Sequence, residues 1–190
     1  QVANTTAVST RLEAAYRQIV DDPAYVRWRF EREPVRSIPL REDEPLAGDA
    51  AAPHTLVVFS DFQCAACRLA HAKLTEVLVK YRGQIRIAYR FYPQDRACNK
   101  RFENAVGHRF ACRAAAAAVA AEQVGGADAA ATMRDLLFAR QHDIELDRFV
   151  DWAAEIGLDR YGFTAALAAP AVAEHVAADI ALADELEVKG

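Results

Sequence analysis

The stretch Thr55–Leu69, TLVVFSDFQCAACRL, decides how this chain is read. Thr55 to Ser60 is a short apolar run, the pattern of a strand buried on both faces. Asp61, Phe62 and Gln63 then lead into two cysteines separated by two alanines. From Arg68 to Tyr81, residues Leu69, Leu74, Val77, Leu78 and Tyr81 fall near one face of a helix. Gly83 closes that helix, and Ile85 to Phe91 (IRIAYRF) alternates apolar and polar residues as a strand does. Strand, helix and strand joined by short connections make a βαβ unit, normally right-handed and parallel. Cys64 and Cys67 therefore belong at the carboxyl end of a strand and in the first turn of a helix.

Upstream, Thr10 to Val20 places Leu12, Ala15, Tyr16, Ile19 and Val20 at helical spacing. Asp22-Pro23 opens a second helix, with proline at an early helical position. Pro34 to Pro53 holds four prolines and several acids, and reads as an extended surface linker. Downstream, a polar loop runs from Pro93 to Arg109. Helices are expected over Ala111–Val124 (stopped by Gly125-Gly126), Ala129–Gln141, Leu146–Ile156 and Ala171–Val188, with Asp143 and Asp159 near helix starts. The expected organisation is an N-terminal helical extension and proline-rich linker (1–53), a βαβ unit bearing the cysteines (54–92), and a helical insertion with a return helix of the same domain (93–190).

With 190 residues, 53% hydrophobic and 26% charged, the chain has the composition of an ordinary globular domain. A formal net charge of −4 leaves no basic footprint, so nucleic acid is not an expected partner. No window approaches the ~18 consecutive apolar residues of a membrane span. The first residue is Gln1, so an upstream signal peptide or membrane anchor is consistent with the chain. Four cysteines permit three pairings, among which the residues alone do not choose. Their even number fits an oxidising, extracytoplasmic compartment, periplasmic or exported, with a reduced cytosolic protein as the alternative.

A dithiol exchanger needs one exposed thiolate and a second thiol close enough to attack the mixed disulfide. Two residues between cysteines in a first helical turn supply that closeness. The unpaired N–H groups and partial positive charge of a helix N-terminus favour a thiolate at Cys64. Cys67, one turn inward, stays protonated until it is needed. Ala65 and Ala66 add neither charge nor imidazole, which suggests a less oxidising site than one with a histidine between its cysteines. Asp61 and Gln63 are candidates for tuning the thiols, and a solvated loop acid is the competing reading of Asp61. For the cysteine pair, the rivals are a purely structural disulfide and a zinc site, and the second pair lacks the close spacing of structural zinc.

FSDFQCAACRLAHAKL, followed by IRIAYRFYPQD, resembles the DsbA-like branch of the thioredoxin superfamily. The likeness continues in Cys98-Asn99, in His108-Arg109-Phe110-Ala111-Cys112 and in GLDRYGFTAAL near the end. These stretches are similar to family members often linked to membrane proteins of the vitamin K epoxide reductase type. The resemblance implies an α/β thioredoxin-like fold with a helical insertion and an extracytoplasmic dithiol–disulfide oxidoreductase. Cysteine-containing proteins are its implied substrates. A membrane redox partner of the vitamin K epoxide reductase type, or a quinone-linked oxidase, is its implied counterpart. No cofactor and no metal are expected.

Two positions depart from the family pattern. Many relatives carry a buried acid where Val58 stands, one that helps move the proton of the inner cysteine. The family's strand that begins with a cis-proline would follow Leu186–Gly190, and neither Pro93 nor Pro170 stands in its place. The final strands are thus absent from the sequence, and the native protein is expected to continue past Gly190 with a proline-containing strand and a closing hairpin.

Cys98 and Cys112 read as a structural staple, with a second redox pair relaying electrons to the first as the alternative. His108 reads as a hydrogen-bonded structural histidine. His54, His71, His142 and His175 share no ligand spacing and read as surface residues, Trp28 and Trp152 as packing residues, and Arg96, Lys100 and Arg101 as a solvated loop. The function expected is thiol–disulfide exchange through Cys64 and Cys67. A non-catalytic binding or chaperone module on the same fold, or a redox sensor, are the alternatives.

Overall fold

A computed structural model describes residues 2–104, 106–145 and 148–188, with side chains from residue 10 onward. The chain divides into two compact units, residues 1–38 and 39–190. The first is a pair of helices, α1 (Val2–Val20) and α2 (Pro23–Phe30). Asp22 caps α2, its carboxylate accepting from the backbone N–H of Ala24 and Tyr25 at 2.7 and 3.1 Å. No residue of α2 is buried. Trp28, read from the sequence as a packing residue, is 51% exposed and carries the Arg32 guanidinium over its ring.

The second unit holds β1 (Leu46–Gly48), β2 (His54–Ser60), α3 (Ala65–Lys80), β3 (Ile85–Phe91), α4 (Ala111–Ala139), α5 (Arg148–Glu155), α6 (Arg160–Ala168) and α7 (Pro170–Glu185). Part of the stretch expected to be linker is thus a strand. β1 pairs antiparallel with β3, Leu46 opposite Ala88, while β2 pairs parallel with β3 along its whole length, Val58 opposite Tyr89. The sheet order among the described residues is β1-β3-β2.

Burial of the two longer strands differs from the sequence reading. β2, with its unbroken apolar run, is mostly half-exposed, whereas the alternating β3 is buried through its last five positions. The reason is position: β3 lies between two strands. Its polar residues are held by partners rather than by water. Arg86 donates to the Thr55 hydroxyl at 2.8 Å, and Arg90 is 4% exposed in a buried ion cluster. Arg90 and Arg41 each reach Asp179 of α7 at 3.0 Å, and both also pair with Glu44. The other oxygen of Asp179 accepts from the backbone N–H of Phe91 at 3.0 Å. The same cluster surrounds His175, which is half-buried rather than on the surface, and burial pushes its imidazole below the usual range.

α4 is one element with a break at Gly126, whose φ of +73° lies where L-residues are strained. Before the break it buries an alanine face, Ala114, Ala117, Ala118 and Ala121. A Cβ on Gly125 would lie 2.6 Å from Leu158, so close packing requires the neighbouring glycine too. After the break it buries Met133, Leu137 and Phe138. Phe149 and Trp152 of α5, Phe163 of α6 and Val172 and Val176 of α7 complete one core. Asp159 caps α6 through the N–H of Gly162, and Leu146 lies outside the described residues.

Cys98 and Cys112 are joined across the loop between β3 and α4, with Cα atoms 6.0 Å apart. Asp95 organises that loop: its carboxylate accepts from Ala97 and Cys112 N–H, and its carbonyl from Asn99 N–H. Asn99, 1% exposed, donates to the Pro93 carbonyl at 3.0 Å.

Two stability outcomes follow. Asp179→Ala leaves Arg41 and Arg90 with Glu44 as their shared carboxylate and strands the Phe91 N–H, and should cost roughly 3 kcal/mol, with Asp179→Asn falling between. Replacing Cys98 and Cys112 together by serine should cost about 3 kcal/mol in chain-entropy terms. Urea unfolding of each variant against the oxidised wild type measures both. A midpoint unchanged in either would deny that element its stabilising role.

Candidate active site

The end of β2 passes directly into the site. Cys64 occupies the N-cap of α3 with extended backbone angles, φ −79° and ψ 119°, and makes no side-chain capping bond. Its carbonyl accepts the first helical bond, from Arg68 N–H at 3.1 Å. The sulfur therefore sits where the first N–H groups of a sixteen-residue helix have no intrahelical partners. Cys67 lies one turn further, half-buried and packed in part against the core. Neither sulfur is bonded to another.

Both cysteines line an open pocket of about 260 Å³ together with Ser60, Asp61, Tyr92 and Val188. Burial pushes the Cys67 thiol above its ordinary range, and the neighbouring Cys64 adds to this. Hydrogen bonds from the Asp61 backbone and the Ser60 side chain work in the opposite direction. The strand end thus presents two donors to the inner sulfur, although Val58 offers no acid.

Asp61 is not a solvated loop residue. It is 2% exposed, and its carboxylate takes donors from separate segments. One oxygen accepts from Gln63 N–H at 2.6 Å. The other accepts from Gln94 N–H at 2.7 Å and lies 2.8 Å from Nδ1 of His108. Gln63 reaches the same loop, its Oε1 accepting from Phe110 N–H at 2.7 Å. Asp61 and Gln63 thereby tie the turn before Cys64 to the loop closed by Cys98 and Cys112.

One participant gave no sequence signal. Gln141, 6% exposed, follows the end of α4 and donates through Nε2 to the carbonyls of Phe62 at 2.8 Å and Cys64 at 2.9 Å. It stood at the boundary of an expected helix, and only the tertiary path of α4 brings it to the turn. His71, expected on the surface, is half-buried: it stacks on Phe138 at 4.6 Å and pairs with Asp135 at 3.1 Å. Trp152 is buried, and Arg96, Lys100 and Arg101 are exposed. Among the described residues, no group of three or more His, Cys, Asp or Glu side chains is arranged to hold a metal ion.

The sequence profile of the family described as Thioredoxin matches residues 41–190. Among curated proteins, the Na(+)/H(+) antiporter NhaA of Herminiimonas arsenicoxydans is 32% identical over 142 residues, 75% of this chain and 20% of that protein. NhaA 3 of Salinispora tropica is 31% identical over 154 residues, 80% of this chain and 22% of that protein. The chain thus spans about a fifth of the length of the curated relatives it matches. Among solved structures, a thioredoxin-like oxidoreductase from Silicibacter pomeroyi superposes with a TM-score of 0.60 at 27% identity, covering 79% of this chain and 78% of that one. The thiol-disulfide exchange protein alpha-DsbA2 from Wolbachia pipientis shares the fold with a TM-score of 0.62 at 15% identity, covering 99% of this chain and 83% of the other. With a profile match over most of its length and a DsbA-like fold, the chain belongs to the thioredoxin family.

Proposed function

We propose that this chain performs thiol–disulfide exchange with cysteine-containing proteins, with Cys64 as the attacking thiol and Cys67 as the resolving one. The observation that carries the reading is the placement of two unbonded sulfurs at the cap and first turn of α3, in one open pocket of a thioredoxin-family fold.

In the reducing direction, the Cys64 thiolate attacks one sulfur of a substrate disulfide. A mixed disulfide forms and one substrate thiolate leaves. Cys67 loses its proton and attacks the Cys64 sulfur, which forms the Cys64–Cys67 disulfide and releases the second substrate thiolate. The substrate gains two electrons and the dithiol loses two. Oxidation of a substrate dithiol is the same sequence reversed, and the reduction potential against the partner sets the direction. Cys98–Cys112 serves as the staple of the neighbouring loop. A second disulfide of this kind suits an oxidising, extracytoplasmic setting. On the family resemblance, when the chain oxidises its substrates, the partner that re-forms the Cys64–Cys67 disulfide is a membrane oxidase of the vitamin K epoxide reductase type or a quinone-linked one.

Roles are assigned by trapping. Cys67→Ser should retain attack but lose resolution, so mixed disulfides with substrate accumulate; Cys64→Ser should lose both exchange and trapping. Complexes trapped by Cys64→Ser instead would exchange the two roles. A wild-type protein that neither reduces insulin nor oxidises a dithiol peptide would favour the binding-module alternative.

The raised thiol of Cys67 gives a pH dependence with a definite sign. Resolution needs its thiolate, so release of a preformed mixed disulfide should accelerate close to tenfold per pH unit between about pH 6 and 8. The same shift makes the reduced native state hold this proton more tightly than the unfolded chain. Its stabilising contribution is complete below the unfolded thiol value of roughly 8.5 and is lost as pH rises through the folded value. Stopped-flow release kinetics and alkaline unfolding of reduced protein measure the two. A pH-independent release rate would remove Cys67 deprotonation from the resolving step.

A further inference from the structure

We infer that Gln141 is a positioning residue for the cysteine pair, holding the turn before α3 in the shape from which Cys67 reaches Cys64. This rests on the exchange reading above. The side chain comes from outside the βαβ unit, just past the end of α4, and is nearly fully buried at 6% exposure. Its Nε2 donates to two carbonyls, those of Phe62 at 2.8 Å and Cys64 at 2.9 Å, which bracket Gln63. The Cys64 carbonyl is the one that also accepts the first bond of α3. One amide group therefore fixes both the cap residue and the residue two positions before it.

The remaining anchors of the turn come from the β3–α4 loop and from α4 itself. Asp61 and Gln63 bind the loop between β3 and α4, and the Phe62 ring packs against Phe138 of α4 at 4.8 Å. Without Gln141, two carbonyls lose their shared donor and the cap is released on one side. A disulfide tolerates only a narrow range of Cα separation and torsion, so a cap free to wander meets Cys67 less often. The effective concentration of Cys67 at Cys64 falls, and the Cys64–Cys67 disulfide becomes less stable relative to the dithiol.

Two variants test this in glutathione redox buffers. Gln141→Leu keeps the volume and removes both donors. Gln141→Glu can donate one bond when protonated and presents only acceptors when ionised. The equilibrium constant for forming the Cys64–Cys67 disulfide should fall about tenfold in Gln141→Leu, equivalent to about 30 mV. In Gln141→Glu the deficit relative to wild type should shrink as pH is lowered through the carboxyl titration. Leu167→Ala, a core truncation in α6, is the control: it should lower the unfolding midpoint and leave the constant within twofold. A folded Gln141→Leu with a constant within twofold of wild type would overturn the positioning role. If Gln141→Leu does not fold, a pH-independent deficit in Gln141→Glu, or no deficit, overturns it instead. A wild-type protein that forms no Cys64–Cys67 disulfide in any buffer would sink the exchange reading itself, which separates the two failures.

Discussion

The carboxylate of Asp61 is the point on which the site depends. It is buried, so it must be fully hydrogen-bonded to be tolerated. It meets that demand by drawing in Gln63 from its own turn, Gln94 from beyond β3 and His108 from the far end of the stapled loop. The desolvation penalty of one acid is thereby converted into the relative placement of three backbone segments. Cys64 follows three residues later and inherits that placement. Withdrawing any donor would leave a charge in a poorly solvated position, so the segments are held together by a penalty for separating them more than by any single attraction.

A second buried carboxylate does the same for the sheet. Asp179 satisfies Arg41, Arg90 and the Phe91 amide at once, joining α7 to β3 and to the strap before β1. Such clusters add little net stability over an apolar core of the same shape. They are intolerant of alternatives, however, because a shifted register at β3 would leave Arg90 buried without a counter-charge. The two acids thus fix different things: one orients the chemical turn, the other the strand that lies behind it.

Much of this was legible in the sequence. An apolar run, a C-x-x-C and an amphipathic stretch identify the βαβ unit because each rests on local periodicity. Asp22-Pro23 announces its helix because capping is local chemistry. What escaped depends on distant neighbours. The sequence patterns of β2 and β3 suggested the opposite distribution of burial, since strand position within a sheet does not show in alternation. Arg90 looked like the polar side of a strand until Asp179 was brought to it across the fold. Asp61 looked equally like a solvent acid, since nothing near it in sequence announces Gln94 or His108. Gln141 carried no signal at all, because its partners are main-chain carbonyls, and those are present at every position.

The break at Gly126 bears on how the chain tolerates changes of length. From that glycine, an unbroken run of α4 leads to Ala139, and the turn beyond it carries Gln141 to the Cys64 carbonyl. Along an α-helix each residue adds about 100° of rotation and 1.5 Å of rise. Deleting one residue from Ala127 to Ala139 would swing the amide away from both carbonyls and turn Phe138 off the ring of Phe62. Gly126 is different: its positive φ already departs from helical geometry, and a Cβ there would meet nothing within 4 Å. Insertions and deletions among descendants of this sequence should therefore collect at Gly126, while the half-helix after it behaves as a spacer of fixed length.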